Sequence, residues 1–253
     1  MSATASTALD SRVILITGAS RGIGAAVARA AAADGATVLL CARDVPALER
    51  LADDIERAGG RPPVLIPLNL ENANTDDYAM IAELVDQRCG RLDGIVCNAA
   101  ALGELAPLAS YDAVTWARVF QVNVHSVMLL LQACLPLARR SIGSSVVFTL
   151  APEGLTPKPH WGAYAASKAA LRAMLDLLAA EHAPPSPVRF NAVVPAPTHT
   201  RLRATAYPAE NPHTLVEPAA VAKVFVDLLD ARSRACRGQI FPAPGDGADR
   251  GRQ

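Results

Sequence analysis

Apolar positions fall into two alternating rhythms along this chain: short unbroken runs, and longer stretches in which they recur at helical spacing. The short runs are Val13–Ile16, Thr37–Cys41, Val64–Leu68, Gly94–Cys97, Ser144–Leu150, Val188–Val193 and Gly238–Phe241. They are too brief for helices and rich in β-branched residues, so they predict strands buried on both faces. The longer stretches, Gly22–Asp34, Asp44–Ala58, Asp77–Cys89, Thr115–Ala138, Gly162–Glu181 and Pro218–Asp230, predict amphipathic helices. Such alternation implies an α/β fold, a doubly wound parallel sheet of about seven strands with helices on both faces. It runs on without an internal repeat, which predicts a single domain over 1–253, with 1–11 and 244–253 as loose tails. The one long irregular stretch, Pro195–Pro218, reads as a lid over a substrate.

The turn after the first strand carries the most chemistry: Thr17-Gly18-Ala19-Ser20-Arg21-Gly22-Ile23-Gly24. Glycines there allow unusual dihedrals and let a ligand approach the backbone. The helix that follows offers free N–H groups and the positive end of its dipole to a pyrophosphate. A strand before and a helix after make this a dinucleotide site, with Gly18, Ser20, Arg21, Gly22, Ile23 and Gly24 as its cradle. The fold is then of Rossmann type, with ligands beyond the carboxyl ends of the strands. An NAD site places an acid at the end of the second strand, but here that strand ends in Arg43. Arg21 and Arg43 together suit a 2′-phosphate, so the expected cofactor is NADP(H). Asp44, next in line, reads as a helix N-cap.

Gly18-x3-Gly22-x-Gly24 resembles the TGxxxGIG loop of the short-chain dehydrogenase/reductase family. Two further motifs of that family occur in order, Cys97-Asn98-Ala99-Ala100 after the fourth strand and Tyr164-Ala165-Ala166-Ser167-Lys168 on a predicted helix. The resemblance covers roughly residues 10–242. Trp161–Lys168 and Tyr207-Pro208-Ala209-Glu210 look most like a YciK-type branch of uncharacterised oxidoreductases. Tyr164 and Lys168 lie four apart, so both project from one helix face, and the ammonium is expected to lower the phenol pKa. The resemblance implies that Tyr164 exchanges a proton with the substrate oxygen and that Lys168 also holds the nicotinamide ribose. It implies that Asn123 anchors a water in the proton relay to Lys168. Asn69 and Leu70 would border the adenine, Asn98 and Ala99 the cofactor's middle, and Pro195, Thr198 and Thr200 the nicotinamide.

Two positions depart from the family pattern. Ala196 stands where a glycine is usual. Ala151, thirteen residues before Tyr164, stands where the family has its catalytic serine. Thr149 lies a full pleat deeper and is a poor substitute. His160 could supply a donor, though a solvated loop histidine is the plainer account. The expected activity is hydride transfer to or from a small carbonyl or alcohol substrate, weakened at Ala151. The competing reading is a non-catalytic NADP(H)-binding sensor or assembly subunit.

Composition removes other classes. Lys+Arg and Asp+Glu are both 24, and aromatics are 4%, so neither a basic footprint nor stacking residues argue for nucleic acid. No uninterrupted apolar run approaches the ~18 residues of a membrane span, and Met1–Leu9 lacks the pattern of a signal peptide. Five cysteines without C-x-x-C pairing read as reduced, cytoplasmic thiols. No cluster has metal-ligand spacing, so no metal is expected. The apolar character of Thr115–Ala138 and Gly162–Glu181 predicts a homodimer or homotetramer packed through them.

Overall fold

Along β1 (Val13–Thr17) every side chain is buried, and the two-residue period of a strand divides them between two faces. Val13 and Leu15 join one apolar core, Ile14 and Ile16 the other, so the sheet needs a helical layer on each side. The computed structural model, which describes residues 8–243, has both layers. After β1 come α1 (Gly22–Ala33), β2 (Thr37–Ala42), α2 (Val45–Arg57), β3 (Val64–Pro67), α3 (Thr75–Cys89) and β4 (Gly94–Cys97). Next are α4 (Ala113–Phe120), α5 (Ser126–Ala138), β5 (Ser144–Thr149), α6 (Pro152–Leu155), α7 (Gly162–Glu181) and β6 (Val188–Val194). The last are α8 (Arg201–Ala206), α9 (Pro218–Leu229) and β7 (Ile240–Pro242).

The seven strands are all parallel, in the order β3-β2-β1-β4-β5-β6-β7. Helices α3, α5 and α7 pack on the Val13/Leu15 face, and α1, α2 and α9 on the other. This is the doubly wound Rossmann-type sheet that the sequence pattern predicts. Chain order reverses between β1 and β4, where a crevice opens at the carboxyl ends of the strands.

Local differences from the sequence pattern have identifiable causes. Helix α3 starts at Thr75 because Asn74 and Asp77 close a capping box around its first turn. The stretch expected as one α-helix over Thr115–Ala138 starts at Ala113, capped by Asp112, and passes through a π turn at Gln121–His125. That turn takes up an extra residue and re-aims the side chains around Asn123. By length and composition the run Ala113–Ala138 could cross a bilayer, yet Val127, Leu130, Leu131, Cys134 and Leu137 are core residues against the sheet. Pro195–Pro218 is not wholly irregular: Thr200 caps the short α8 by accepting from Arg203 N at 3.2 Å. Six residues are too few for helical periodicity to show. The amino-terminal segment is docked from Leu9, which is fully buried and donates its N–H to Asp34 O. Asp10 pairs with Arg61 at 2.8 Å, so the loose tail expected up to residue 11 is corrected for residues 9–11. The rest of the two expected tails, 1–7 and 244–253, lies outside the described residues.

At the opposite end of the sheet from the crevice, buried arginines tie the strand starts together. Arg12 donates to the carbonyls of Asp93 and Gly143, and Arg189 to those of Gly143, Leu228 and Asp230. Burial brings the Arg189 guanidinium down to about 10. The Asp93 carboxylate, fully buried, accepts from Val13 N at 2.9 Å and from Arg91 at 2.6 and 2.9 Å. Asp93→Ala leaves the Val13 N–H without a partner in the core. It is expected to lower stability by about 2–3 kcal/mol in urea unfolding while leaving nucleotide affinity of the folded protein unchanged.

Candidate active site

The crevice is built on close backbone approach. Gly18 and Gly22 have φ of 66° and 56°, which side-chain-bearing residues rarely adopt. A Cβ on Gly18 would lie 2.8 Å from Ala99 Cα, and one on Gly24 would lie 2.3 Å from Gly18 O. The contact is also pinned by hydrogen bonds. The Thr17 hydroxyl receives Asn98 N at 3.1 Å and Ala99 N at 3.2 Å, and the Asn98 amide donates to Thr17 O and Gly18 O. The first turn of α1 holds no acidic residue, and Arg21 gives it no side-chain cap. Its N–H groups and positive dipole end therefore face the crevice uncompensated.

From this turn a cavity of ≈ 640 Å³ extends to Tyr164 and Lys168. Ser20, Arg21, Ile23, Arg43, Asn69 and Leu70 line its β1–β3 end; Asn98, Ala99, Pro195, Thr198 and Thr200 line its middle. Of the sequence-predicted residues, Gly24 and Asn123 do not reach it. Gly24 is packed behind Gly18, and Asn123 is fully buried. Arg43 pairs with Glu71 at 3.0 Å, while Arg21 sits 3.4 Å from Asp44, which also caps α2 through Ala47 N. Both guanidinium groups lie at the mouth and are exposed. A glycine turn without Cβ atoms, a free helix N-terminus and two arginines are what a phosphorylated dinucleotide requires. The residues present fit NADP(H).

Tyr164 and Lys168 project from one face of α7 into the cavity, both nearly fully buried. The Lys168 ammonium donates to Thr149 O at 2.7 Å and lies 5.7 Å from the centre of the Tyr164 ring. Burial pushes the Tyr164 phenol far above its ordinary value, and the Glu153 carboxylate raises it further. The same burial brings Lys168 down to about 8. The expected lowering of the tyrosine by its lysine is thus reversed in the free protein, where desolvation outweighs a charge aimed at a carbonyl.

Asn123 is occupied differently from the sequence expectation. Its side chain accepts from Ala101 N at 2.7 Å and donates to Ala101 O at 3.0 Å and Ser167 Oγ at 2.9 Å. It clamps the segment after β4 to α7, and its amide makes no contact with Lys168. Ala151 lies in a small apolar cluster with Leu102, Trp161 and Tyr164 and presents no donor. The Thr149 hydroxyl points to Asn98 Oδ1 at 3.5 Å. His160 is exposed and does not line the cavity. Thr198 donates its hydroxyl to Ala196 O at 2.6 Å, and Thr200 caps α8. Cys41 and Cys97 are core residues whose thiols burial pushes up, Cys41 to about 12. Sequence reasoning missed Thr17, whose place before Gly18 was the available signal. The sequence marks the irregular segments Glu153–Trp161 and Pro195–Val216 as shaping the pocket, but gives no sign of the Glu153 burial or of the Arg203–Glu210 pair.

Comparison with known proteins gives a consistent picture. The family profile described as short chain dehydrogenase matches residues 12–211. An uncharacterised oxidoreductase, YciK of Escherichia coli K12, is 38% identical over 235 residues, 93% of this chain and 92% of its own length. A solved short chain dehydrogenase of Pseudomonas syringae superposes with TM-score 0.93 at 40% identity, covering 96% of this chain and 98% of that one. Another from E. coli CFT073, solved as a complex with NADPH, gives TM-score 0.91 at 38% identity, covering 95% and 99%.

Proposed function

The chain belongs to the short-chain dehydrogenase family, and we propose that it is an NADP(H)-dependent reductase of a small carbonyl compound. The observation that carries this reading is that Tyr164, Lys168, the glycine turn and both arginines open onto one cavity. NADP(H), when bound, supplies the hydride. The turn and the free N–H groups of α1 bind the pyrophosphate, and Lys168 holds a ribose hydroxyl. Arg21 and Arg43 exchange Asp44 and Glu71 for the 2′-phosphate, a reading supported by the E. coli relative solved with NADPH.

A phenol held above its ordinary pKa keeps its proton at neutral pH, so Tyr164 acts as the acid that protonates the substrate oxygen. Lys168, protonated below about 8, stabilises the phenolate left behind. With its side chain committed to Ala101 and Ser167, Asn123 is the positioning residue of the relay, and the main chain of the π turn is what holds its water. Ala151 gives the substrate oxygen no second donor, so turnover is slow. Five free cysteines, none paired, support a reducing, cytoplasmic setting. The exposed Val114, Met128 and Leu177 on α4, α5 and α7 support assembly as a homodimer or homotetramer.

NADPH is expected to bind more tightly than NADH in fluorescence titration, and Arg43→Asp to abolish or reverse the order; equal affinities in the wild type count against the arginine clamp. In steady-state NADPH oxidation with reactive diketones and quinones, Ala151→Ser should raise turnover at least tenfold, part of the ~2.7–4 kcal/mol typical of such a donor. Tyr164→Phe should abolish it, and turnover that survives that change refutes the assigned acid. NADPH binding without turnover in any variant leaves a non-catalytic sensor. Light scattering at micromolar concentration should give a dimer or tetramer mass, and a monomer mass would refute assembly.

A further inference from the structure

Glu153, on the short α6, is a carboxylate that neither the fold nor the proposed proton transfer uses. It is 5% exposed, lines the cavity on the Tyr164 side, and lies two residues beyond Ala151. Its only hydrogen bond among the described residues comes from Lys158 Nζ, at 3.4 Å, and that lysine side chain is 54% exposed. One oxygen is therefore held weakly, and the other has no donor. That open oxygen is not among the sealed, unpartnered side-chain atoms of the described residues, so it is reachable from the cavity and available to accept from a ligand.

The placement is rigid. Gly154, the next residue, packs so tightly on α7 that a Cβ there would lie 2.5 Å from Lys168 Cβ. The backbone at Glu153 therefore cannot shift without moving α6 off the Tyr164–Lys168 helix. The cations around it are otherwise engaged. Arg203 is held by both oxygens of Glu210 at 2.6 Å and stacks 3.7 Å from the Tyr207 ring, while Lys168 donates to Thr149 O. Arg201 stays exposed at the mouth. Desolvation raises the Tyr164 phenol and the nearby Glu153 charge raises it further, which puts that charge beside the reacting end of the cavity.

An ionised carboxylate accepts hydrogen bonds and donates none, so Glu153 cannot replace the missing serine at the substrate oxygen. It must address a different part of the molecule. We propose that Glu153 is a specificity-determining residue: its open oxygen accepts from a hydroxyl or ammonium group beside the reacting carbonyl, and its charge turns away substrates with a carboxylate there. The assignment rests on the reductase reading of the same cavity and names its substrate class. The apolar cluster of Leu102, Ala151, Trp161 and Ala206 takes the remainder of such a substrate.

Four ketones on one skeleton test this: acetophenone, 2-hydroxyacetophenone, 2-aminoacetophenone and benzoylformate. Each is measured for kcat/KM with NADPH and, by calorimetry, for affinity to the NADP⁺-loaded protein. The hydroxy- and aminoketones should exceed acetophenone at least tenfold in both measurements, with benzoylformate weakest. Glu153→Gln, still an acceptor but uncharged, should lose the amine preference and keep part of the hydroxyl preference. Glu153→Ala should lose both and admit benzoylformate, with NADPH affinity reporting that the site is intact. If the binding order holds but NADPH is never oxidised, the reductase reading fails and the role of Glu153 stands. Turnover without the order has the opposite meaning. An order unchanged in Glu153→Ala, a preference for benzoylformate, or no binding of the hydroxy- and aminoketones overturns the proposal. A uniform loss across all four ketones in both variants also overturns it, since it marks Glu153 as merely structural.

Discussion

How closely the turn after β1 can approach the end of β4 governs the whole active end of the molecule. Missing Cβ atoms at Gly18 and Gly24 allow two backbone segments to meet at distances no other residue permits. Thr17 and Asn98 then convert proximity into fixed geometry through four hydrogen bonds. That geometry leaves the N-terminus of α1 facing an open crevice. Through Asn98 Oδ1 it also reaches Thr149, whose carbonyl holds Lys168. The glycine turn and the Tyr164–Lys168 helix are therefore joined by a chain of hydrogen bonds through Asn98 and Thr149.

The sheet and its two layers were legible in the sequence because burial on both faces forces unbroken apolar runs, and because glycine and tyrosine–lysine spacings are local. Most residues that line the glycine-turn end of the cavity could be named for the same reason. What could not be read depended on long-range partners. Asn123 looks the same in a sequence whether it serves a water or clamps Ala101, and only the π turn decides which way its amide points. The carboxylates that meet Arg43 and Arg21 are 28 and 23 residues away, beyond any local rule. Helix α8 was hidden because six residues carry too little pattern. Glu153 gives no local sign of its burial, which depends on how α6 packs against α7.

The tyrosine–lysine pair shows how burial can overturn an argument from spacing. Four-residue separation does put both groups on one face, but both are buried, and desolvation raises the Tyr164 phenol and lowers the Lys168 ammonium to about 8. The lysine's proton is directed to Thr149 O and not to the phenol. A neutral acid beside a cation of reduced basicity is suited to giving up a proton as negative charge develops on a substrate oxygen.

In the proposed reading, the paired arginines at the mouth make cofactor selection an exchange equilibrium. Arg43 and Arg21 pair with Glu71 and Asp44, so an arriving 2′-phosphate would replace two carboxylates with one more highly charged anion. Exposed pairs of this kind are worth about 0–1 kcal/mol, and a phosphate carrying nearly two charges displaces them readily. Each arginine at the mouth thus starts with a carboxylate partner, and a 2′-phosphate would gain its hold by competition and not by meeting a vacant charge.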